Sequence, residues 1–157
     1  MTMTNRDETI SPSKSLSRVF AYSGGILALF ALNLFVLEPL FHRSIGPRAA
    51  QLVYIVIRIV GIVVLAFLLT KNAKRNRFQT LSTVLLVGFI DQVVLKGIWI
   101  KQDMVIHPGD WTGIAPTSSA IFVNMAVGYL FFTPLILILA FFGMESTRFR
   151  KDWTLPD

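Results

Sequence analysis

Four long apolar blocks separated by short polar segments dominate the sequence, over residues 19–41, 51–70, 80–100 and 119–143. Each block approaches or exceeds the roughly 20 residues that a helix needs to cross a hydrocarbon core about 30 Å thick. In lipid the backbone amides must find partners within their own segment, so a continuous apolar run there forms a helix. The blocks therefore predict an all-α integral membrane protein with four transmembrane helices.

The composition and the pattern within the blocks agree with this prediction. Hydrophobic residues make up 54% of the 157 residues and charged residues only 15%, against about 45–50% and about 25% in soluble domains. The blocks lack sustained alternation of apolar and polar residues, and a membrane barrel would need more strands of about ten residues. The first block is also too long for a signal peptide, and no small-residue cleavage site follows it.

The segments that connect the blocks are short, which makes consecutive helices antiparallel neighbours. We therefore expect an up-down-up-down four-helix bundle over residues 18–145. Residues 1–17 are polar and rich in Ser and Thr, which favours a disordered tail. Residues 146–157 form a basic tail.

The distribution of Lys and Arg predicts that both termini are cytoplasmic. With the N-terminus inside, the cytoplasmic segments hold ten basic residues and the outer segments three, as expected from the enrichment of Lys and Arg in cytoplasmic loops. This asymmetry also accounts for much of the net charge of +6. A nucleic-acid partner is not expected, because the segments between the blocks carry no binding motif. We expect a multi-pass protein of the cell membrane, which is the inner membrane in a Gram-negative cell, with membrane lipids as partners.

Five polar or charged residues lie within or at the ends of the predicted helices, where charge is costly and usually faces protein or water. They are Glu38, Arg58, Asp91, Lys96 and Asn124. At about 1.5 Å per residue, Arg58 and Asp91 lie roughly 10 and 13 Å below the outer ends of antiparallel helices. The similar heights predict an arginine–carboxylate pair, and all five residues are expected in the outer half of the bundle.

Helical spacing assigns these residues to faces. Tyr54 and Arg58 share one face of the second helix, and Gln92 and Lys96 share a face of the third helix that differs from the face of Asp91. On the first helix, a stripe of small residues that also includes Phe35 ends in an acid: Gly24, Ala28, Ala31, Phe35, Glu38. On the fourth helix, Asn124 and Gly128 are four residues apart. Small residues let helices approach closely in lipid, so we expect these faces to meet.

Each of these residues also has a structural interpretation. Arg58 and Asp91 could be an ion pair that only holds the bundle together, or they could line a functional site. Glu38 and Lys96 are long enough to reach the membrane surface. Asn124 is of a type that often forms a hydrogen bond between helices.

The outer loop contains His107, Asp110 and Trp111. A histidine and an aspartate three residues apart could bind a metal or transfer a proton, although a turn with Trp111 at the lipid headgroups explains them equally. Two ligands do not make a metal site, and the chain has no cysteine. Recognised catalytic motifs such as HExxH and GxSxG are also missing. We therefore predict no metal, no cofactor and no catalytic residue.

Three functions remain open. The first is transport of a small solute or ion through a polar cavity lined by Arg58 and Asp91, in an oligomer. The second is an accessory or assembly subunit of a larger membrane complex. The third is a small enzyme that acts on a lipid-linked substrate with Asp91, His107 and Asp110 as acid/base groups. We favour a non-enzymatic function, with transport first, and the sequence does not identify the substrate.

Overall fold

A computed structural model describes residues 12–106 and 117–149, and within these residues the regular structure is entirely helical. The helices are α1 (residues 12–45), α2 (Pro47–Lys71), α3 (Arg77–Ile106) and α4 (Ser118–Phe149). All four are long and apolar enough to cross a membrane. The prediction of an all-α chain with four helices that are long and apolar enough to span a membrane is confirmed, whereas the sidedness of its termini stays a prediction.

The helices are longer than the apolar blocks that predicted them. Residues 12–17, expected in a disordered tail, belong to α1, which begins at Pro12. At the other ends, α3 continues to Ile106 and α4 to Phe149. Hydrophobicity marks only the part of a helix that lies in lipid, whereas backbone hydrogen bonding and capping decide where the helix ends. At the start of α3, for example, Asn76 Oδ1 accepts a hydrogen bond of 2.8 Å from the Gln79 backbone N–H.

The connection between α1 and α2 is one residue, Gly46, and not the nine-residue loop 42–50 that the sequence suggested. Gly46 has φ +86°, a conformation that is favourable only for glycine among the common residues. Pro47 follows as the first residue of α2, where its fixed φ suits a helix start and its missing N–H costs no hydrogen bond. This Gly-Pro pair reverses the chain within a single turn.

Side-chain contacts show that neighbouring helices run antiparallel. Ser15, at the start of α1, donates a hydrogen bond of 2.9 Å to the carbonyl of Ala73, just after α2. Arg77, at the start of α3, pairs with Glu145 near the end of α4 at 2.6 Å. One end of the bundle therefore holds the start of α1, the end of α2, the start of α3 and the end of α4. We call it the basic end, after the residues Arg18, Lys71, Lys74, Arg75 and Arg77.

The apolar core fills the half of the bundle nearest the basic end. It includes buried residues from all four helices: Phe30, Ile62, Leu65, Ala66, Leu69, Val84, Val87, Ile136, Ala140 and Met144. In this half α2 and α4 approach so closely that a Cβ on Gly143 would lie 2.5 Å from the carbonyl oxygen of Val63. Towards the opposite end, polar side chains and cavities occupy the space between the helices.

Two helices contain a π-helical turn, at Asn33–Leu37 in α1 and at Ile90–Leu95 in α3. A π turn holds an extra residue, and one residue corresponds to about 100° around a helix with 3.6 residues per turn. The faces before and after such a turn are therefore out of phase. Both turns begin at or beside a buried polar residue, Asn33 in one and Asp91 in the other.

Candidate functional site

Arg58 and Asp91 form the expected ion pair, which links α2 to α3 inside the bundle. Arg58 Nε donates to Asp91 Oδ2 at 2.8 Å, and Arg58 Nη2 donates to Asp91 Oδ1 at 2.9 Å. Two parallel bonds of this kind are the strong form of an arginine–carboxylate contact. The residues are only 6% and 2% exposed. Both lie near the middle of their helices and not in the outer half, because α2 and α3 extend beyond the apolar blocks.

The rest of the guanidinium group is also occupied. Arg58 Nη1 donates to Asn33 Oδ1 at 2.8 Å, and a longer contact of 3.5 Å joins it to the carbonyl of Tyr54. Arg58 Cζ lies 3.4 Å from the centre of the Tyr54 ring and 5.3 Å from that of Phe30, an arrangement that stabilises a cation electrostatically. A Cβ on Gly61 would lie 2.5 Å from the Phe30 ring, so glycine is what lets this ring fit beside α2.

Asn33 was not predicted from the sequence. It is buried, and its side chain brings α1 into contact with the ion pair. The sequence did contain an indication, because Asn33 is the only amide side chain in the first apolar block. The stripe of small residues drew the prediction to another face of the same helix.

Helical spacing predicted that Gln92 and Lys96 lie on a different face of α3 from Asp91, and this prediction was wrong. Gln92 Nε2 donates to Asp91 Oδ2 at 2.9 Å, and all three residues line one cavity. A regular α-helix would direct Asp91 and Lys96 to different sides. The π turn at Ile90–Leu95 shifts the phase of α3 at this point and brings both side chains to the same space.

This space, the polar cavity, has a volume of about 250 Å³ and lies between α2, α3 and α4. Its polar side is formed by Tyr54, Arg58, Asp91, Gln92 and Lys96, together with Gln51 near the start of α2. Its apolar rim has two members on α2 and two on α4: Ile55, Ile59, Phe132 and Leu135. These four side chains are exposed on the surface of the bundle, so the polar cavity opens sideways, between α2 and α4, through the apolar surface of the bundle.

A second cavity of about 250 Å³ lies nearer the end of the bundle opposite the basic end. We call it the end cavity, and its lining is Leu34, Glu38, His42, Gln51, Tyr54, Lys96 and Trp99. Three of these residues, Gln51, Tyr54 and Lys96, also line the polar cavity. They form a shared wall between the two cavities. Among the described residues, Glu38 lines the end cavity but not the polar cavity, whose lining contains a single carboxylate, Asp91.

Lys96 differs from Arg58 in having no counter-ion of its own. Within residues 12–106 and 117–149 its side chain makes no hydrogen bond and no ion pair. The polar cavity therefore has two cations, Arg58 and Lys96, and one anion, Asp91, which is bound to Arg58. Two further polar atoms beside the pair are buried: Asn33 Nδ2, which has no hydrogen-bond partner in the described part of the chain, and Tyr54 Oη, which lies close to the Gln92 side chain but outside 3.5 Å hydrogen-bond geometry. The arrangement can accommodate one additional negative charge.

The remaining predicted residues lie elsewhere. Asn124 is exposed on the surface of α4 and lines neither cavity. Added Cβ atoms on Gly24 and Gly128 would meet nothing within 4 Å, so the expectation that the small faces of α1 and α4 meet the other helices is wrong. A lipid-facing surface tolerates small residues as readily as a packed one, which makes such stripes ambiguous. The outer-loop residues His107, Asp110 and Trp111 lie outside the described residues.

Comparison with known proteins gives no family for this chain. No protein-family model, curated protein or solved structure matches it. Function has therefore to be inferred from the two cavities and the residues that line them.

Proposed function

We propose that this protein is a small membrane transporter that binds an anionic solute in the polar cavity, with Lys96 as the principal binding residue. The observation that carries the proposal is that Lys96 has no counter-ion among the described residues, in a cavity whose other charges, Arg58 and Asp91, are paired with each other. A charge in a low-dielectric environment is stabilised far more by an opposite charge than the same charge in water. A bound anion would complete the electrostatics of the site.

The role proposed for Arg58 and Asp91 is to hold the wall of the cavity. Both oxygens of the Asp91 carboxylate accept hydrogen bonds from Arg58, and Oδ2 accepts another from Gln92. The guanidinium is bound by Asp91 and Asn33, and it lies over the Tyr54 ring and near the Phe30 ring. Groups with so many partners are poorly available to a ligand, whereas Lys96 and the Tyr54 hydroxyl are available.

The closure of the cavity on one side supports transport over simple binding. Towards the basic end the polar cavity is closed by Phe30, Ile62 and Ile136, which are buried in the apolar core. In the other direction only the shared wall separates it from the end cavity. A carrier that alternates between two states has a site that is accessible from one side in each state. The oligomer expected from the sequence is part of this proposal.

The alternative of an accessory subunit is favoured by α4. Only 11% of its most apolar stretch is buried within the chain, and Asn124 is exposed on its surface. Polar side chains in a membrane commonly hydrogen-bond to a neighbouring helix, and that helix would here belong to another subunit.

Catalysis on a lipid-linked substrate is the weakest of the three hypotheses. Asp91 was its deep acid/base candidate, and the hydrogen bonds from Arg58 and Gln92 occupy its oxygens. Within the described residues no three His, Cys, Asp or Glu side chains are grouped so that they could hold a metal.

The test of transport is uptake of radiolabelled anions into liposomes that contain the purified protein. Benzoate, phosphate and oleate serve as probes, and Lys96→Gln is compared with Lys101→Gln, an exposed lysine five residues further along α3. A hydrogen bond to a charged group is worth about 1.5–3 kcal/mol, so Lys96→Gln should reduce uptake of the transported anion by about 10- to 100-fold. The Lys101→Gln variant should match the wild type. Equal uptake in both variants, or no uptake of any probe by the wild type, would contradict transport through this site.

A further inference from the structure

We infer that the ligand is amphipathic, a single-chain carboxylate of the fatty-acid type that enters the polar cavity from the bilayer between α2 and α4. This inference rests on the proposed anion site at Lys96 and adds the class of molecule and the route. Its head would lie at Lys96, and its chain would leave the cavity through the apolar rim.

The rim fits an apolar chain and not a hydrated solute. All four of its side chains are apolar, and all four are more than a third exposed: Ile55, Ile59, Phe132 and Leu135. In a membrane-spanning bundle these side chains contact acyl chains. A small hydrated ion would have to lose its water before reaching this opening, whereas an acyl chain lies in the same environment on both sides of it.

The polar side fits a carboxylate head. Among the described residues, the Lys96 ammonium group has no partner within ion-pair distance, and Tyr54 adds a buried hydroxyl close to the Gln92 side chain. Gln51 adds an amide at the same wall, between the two cavities. Three donors on one side and an apolar opening on the other define the two parts of an amphiphile.

The volume of the polar cavity favours a small head. At about 250 Å³ the cavity is below the roughly 300–1,000 Å³ of pockets that enclose whole ligands. It can hold a carboxylate and the first methylene groups, and the rest of the chain then extends through the apolar rim into the bilayer.

Photo-crosslinking tests both the ligand class and the route. The probe is a long-chain fatty acid with a photoreactive diazirine in its chain, added to the full-length protein in phosphatidylcholine nanodiscs. Crosslinks, mapped by peptide mass spectrometry, should fall on α2 and α4 at the rim. Excess oleate present during irradiation should prevent them. Acetate at the same concentration should leave them unchanged. Removal by phosphatidic acid but not by oleate would overturn the single-chain assignment.

Two pairs of variants separate the site from general contact with lipid. Lys96→Gln should lower rim crosslinking by about 10-fold or more, whereas Lys101→Gln should not. Leu135→Trp, which places a large ring at the rim, should also lower it, whereas Leu130→Trp, on an exposed part of α4 outside the cavity, should not. Gel filtration of each variant checks that it is folded. Equal labelling across all four variants would show that the probe reports only the lipid-facing surface and would overturn the inference.

Binding and transport fail in different ways in these experiments. Oleate-sensitive crosslinking at the rim without uptake of any anion would support the ligand class and contradict transport. Lys96-dependent uptake of benzoate or phosphate without crosslinking at the rim would support transport and contradict entry from the bilayer.

Discussion

Arg58 Nε lies 2.8 Å from Asp91 Oδ2, and this contact joins α2 and α3 at a level where the apolar core gives way to cavities. Asn33 of α1 accepts a hydrogen bond from Arg58, and Gln92 of α3 donates one to Asp91. The pair therefore connects three helices, and in the described part of the chain the Lys96 side chain is left without an ion-pair partner. The first prediction concerns the contribution of this pair to stability.

Asp91→Asn should destabilise the protein by about 3–5 kcal/mol, because it leaves the buried Arg58 cation without its counter-ion. The double variant Arg58→Met, Asp91→Leu should be much closer to the wild type, since replacing a buried pair with apolar residues of similar size is often nearly neutral. Denaturant unfolding in detergent, followed by circular dichroism, measures both. If Asp91→Asn is as stable as the wild type, the pair is hydrated and does not hold the bundle.

The two asparagines in the membrane-spanning helices should behave in opposite ways. Asn33→Leu removes an acceptor from buried Arg58 Nη1 and should cost about 1–3 kcal/mol. Asn124→Leu, on the exposed surface of α4, should leave the stability of the isolated protein unchanged or raise it. Thermal unfolding in the same detergent compares them, and equal effects would contradict the assignment of Asn33 to the site.

Glycine should be essential where helices touch and dispensable where they do not. Gly143→Ala puts a Cβ 2.5 Å from the Val63 carbonyl oxygen and should cost about 1–3 kcal/mol, as overpacking typically does. Gly24→Ala meets nothing within 4 Å and should be neutral or slightly stabilising, because alanine favours the helix. The difference in denaturation midpoint between the two variants is the measurement, and a larger loss in Gly24→Ala would place an unseen contact on α1.

The orientation of the bundle is tested by labelling introduced cysteines, since the natural chain contains none. If the basic end is cytoplasmic, as the distribution of Lys and Arg predicts, a membrane-impermeant maleimide should label Gln102→Cys in intact cells. It should label Lys71→Cys, at the exposed basic end, only after the cells are opened. The reverse pattern would place the termini outside and invert the assignment of the two ends.

Sequence reasoning predicted those features that depend on local regularity. Apolar runs identified the helices, and the constant rise of a helix placed Arg58 and Asp91 at matching heights. It failed where regularity is interrupted. Regular helical spacing placed Lys96 and Asp91 on different faces of α3, but the π turn at Ile90–Leu95 rotates one part of the helix relative to the other. It also failed on α1, where the core side contains Phe30, Asn33 and Leu34. Lipid and protein interior are both apolar, so hydrophobicity alone does not tell which face of a membrane helix turns inward.

Because the polar cavity opens sideways, binding of a ligand there would be governed by the ligand's concentration in the bilayer. If the ligand enters between Ile59 and Phe132, the occupancy of the site depends on the mole fraction of the ligand in the bilayer and not on its concentration in water. Each additional methylene group contributes about 0.8 kcal/mol to partitioning into the membrane. Each therefore raises the concentration of an amphiphile in the membrane about fourfold. Chain length would thus set the concentration of the ligand at the opening, while Lys96 would select for an anionic headgroup. Such a site can discriminate by headgroup while needing only weak intrinsic affinity.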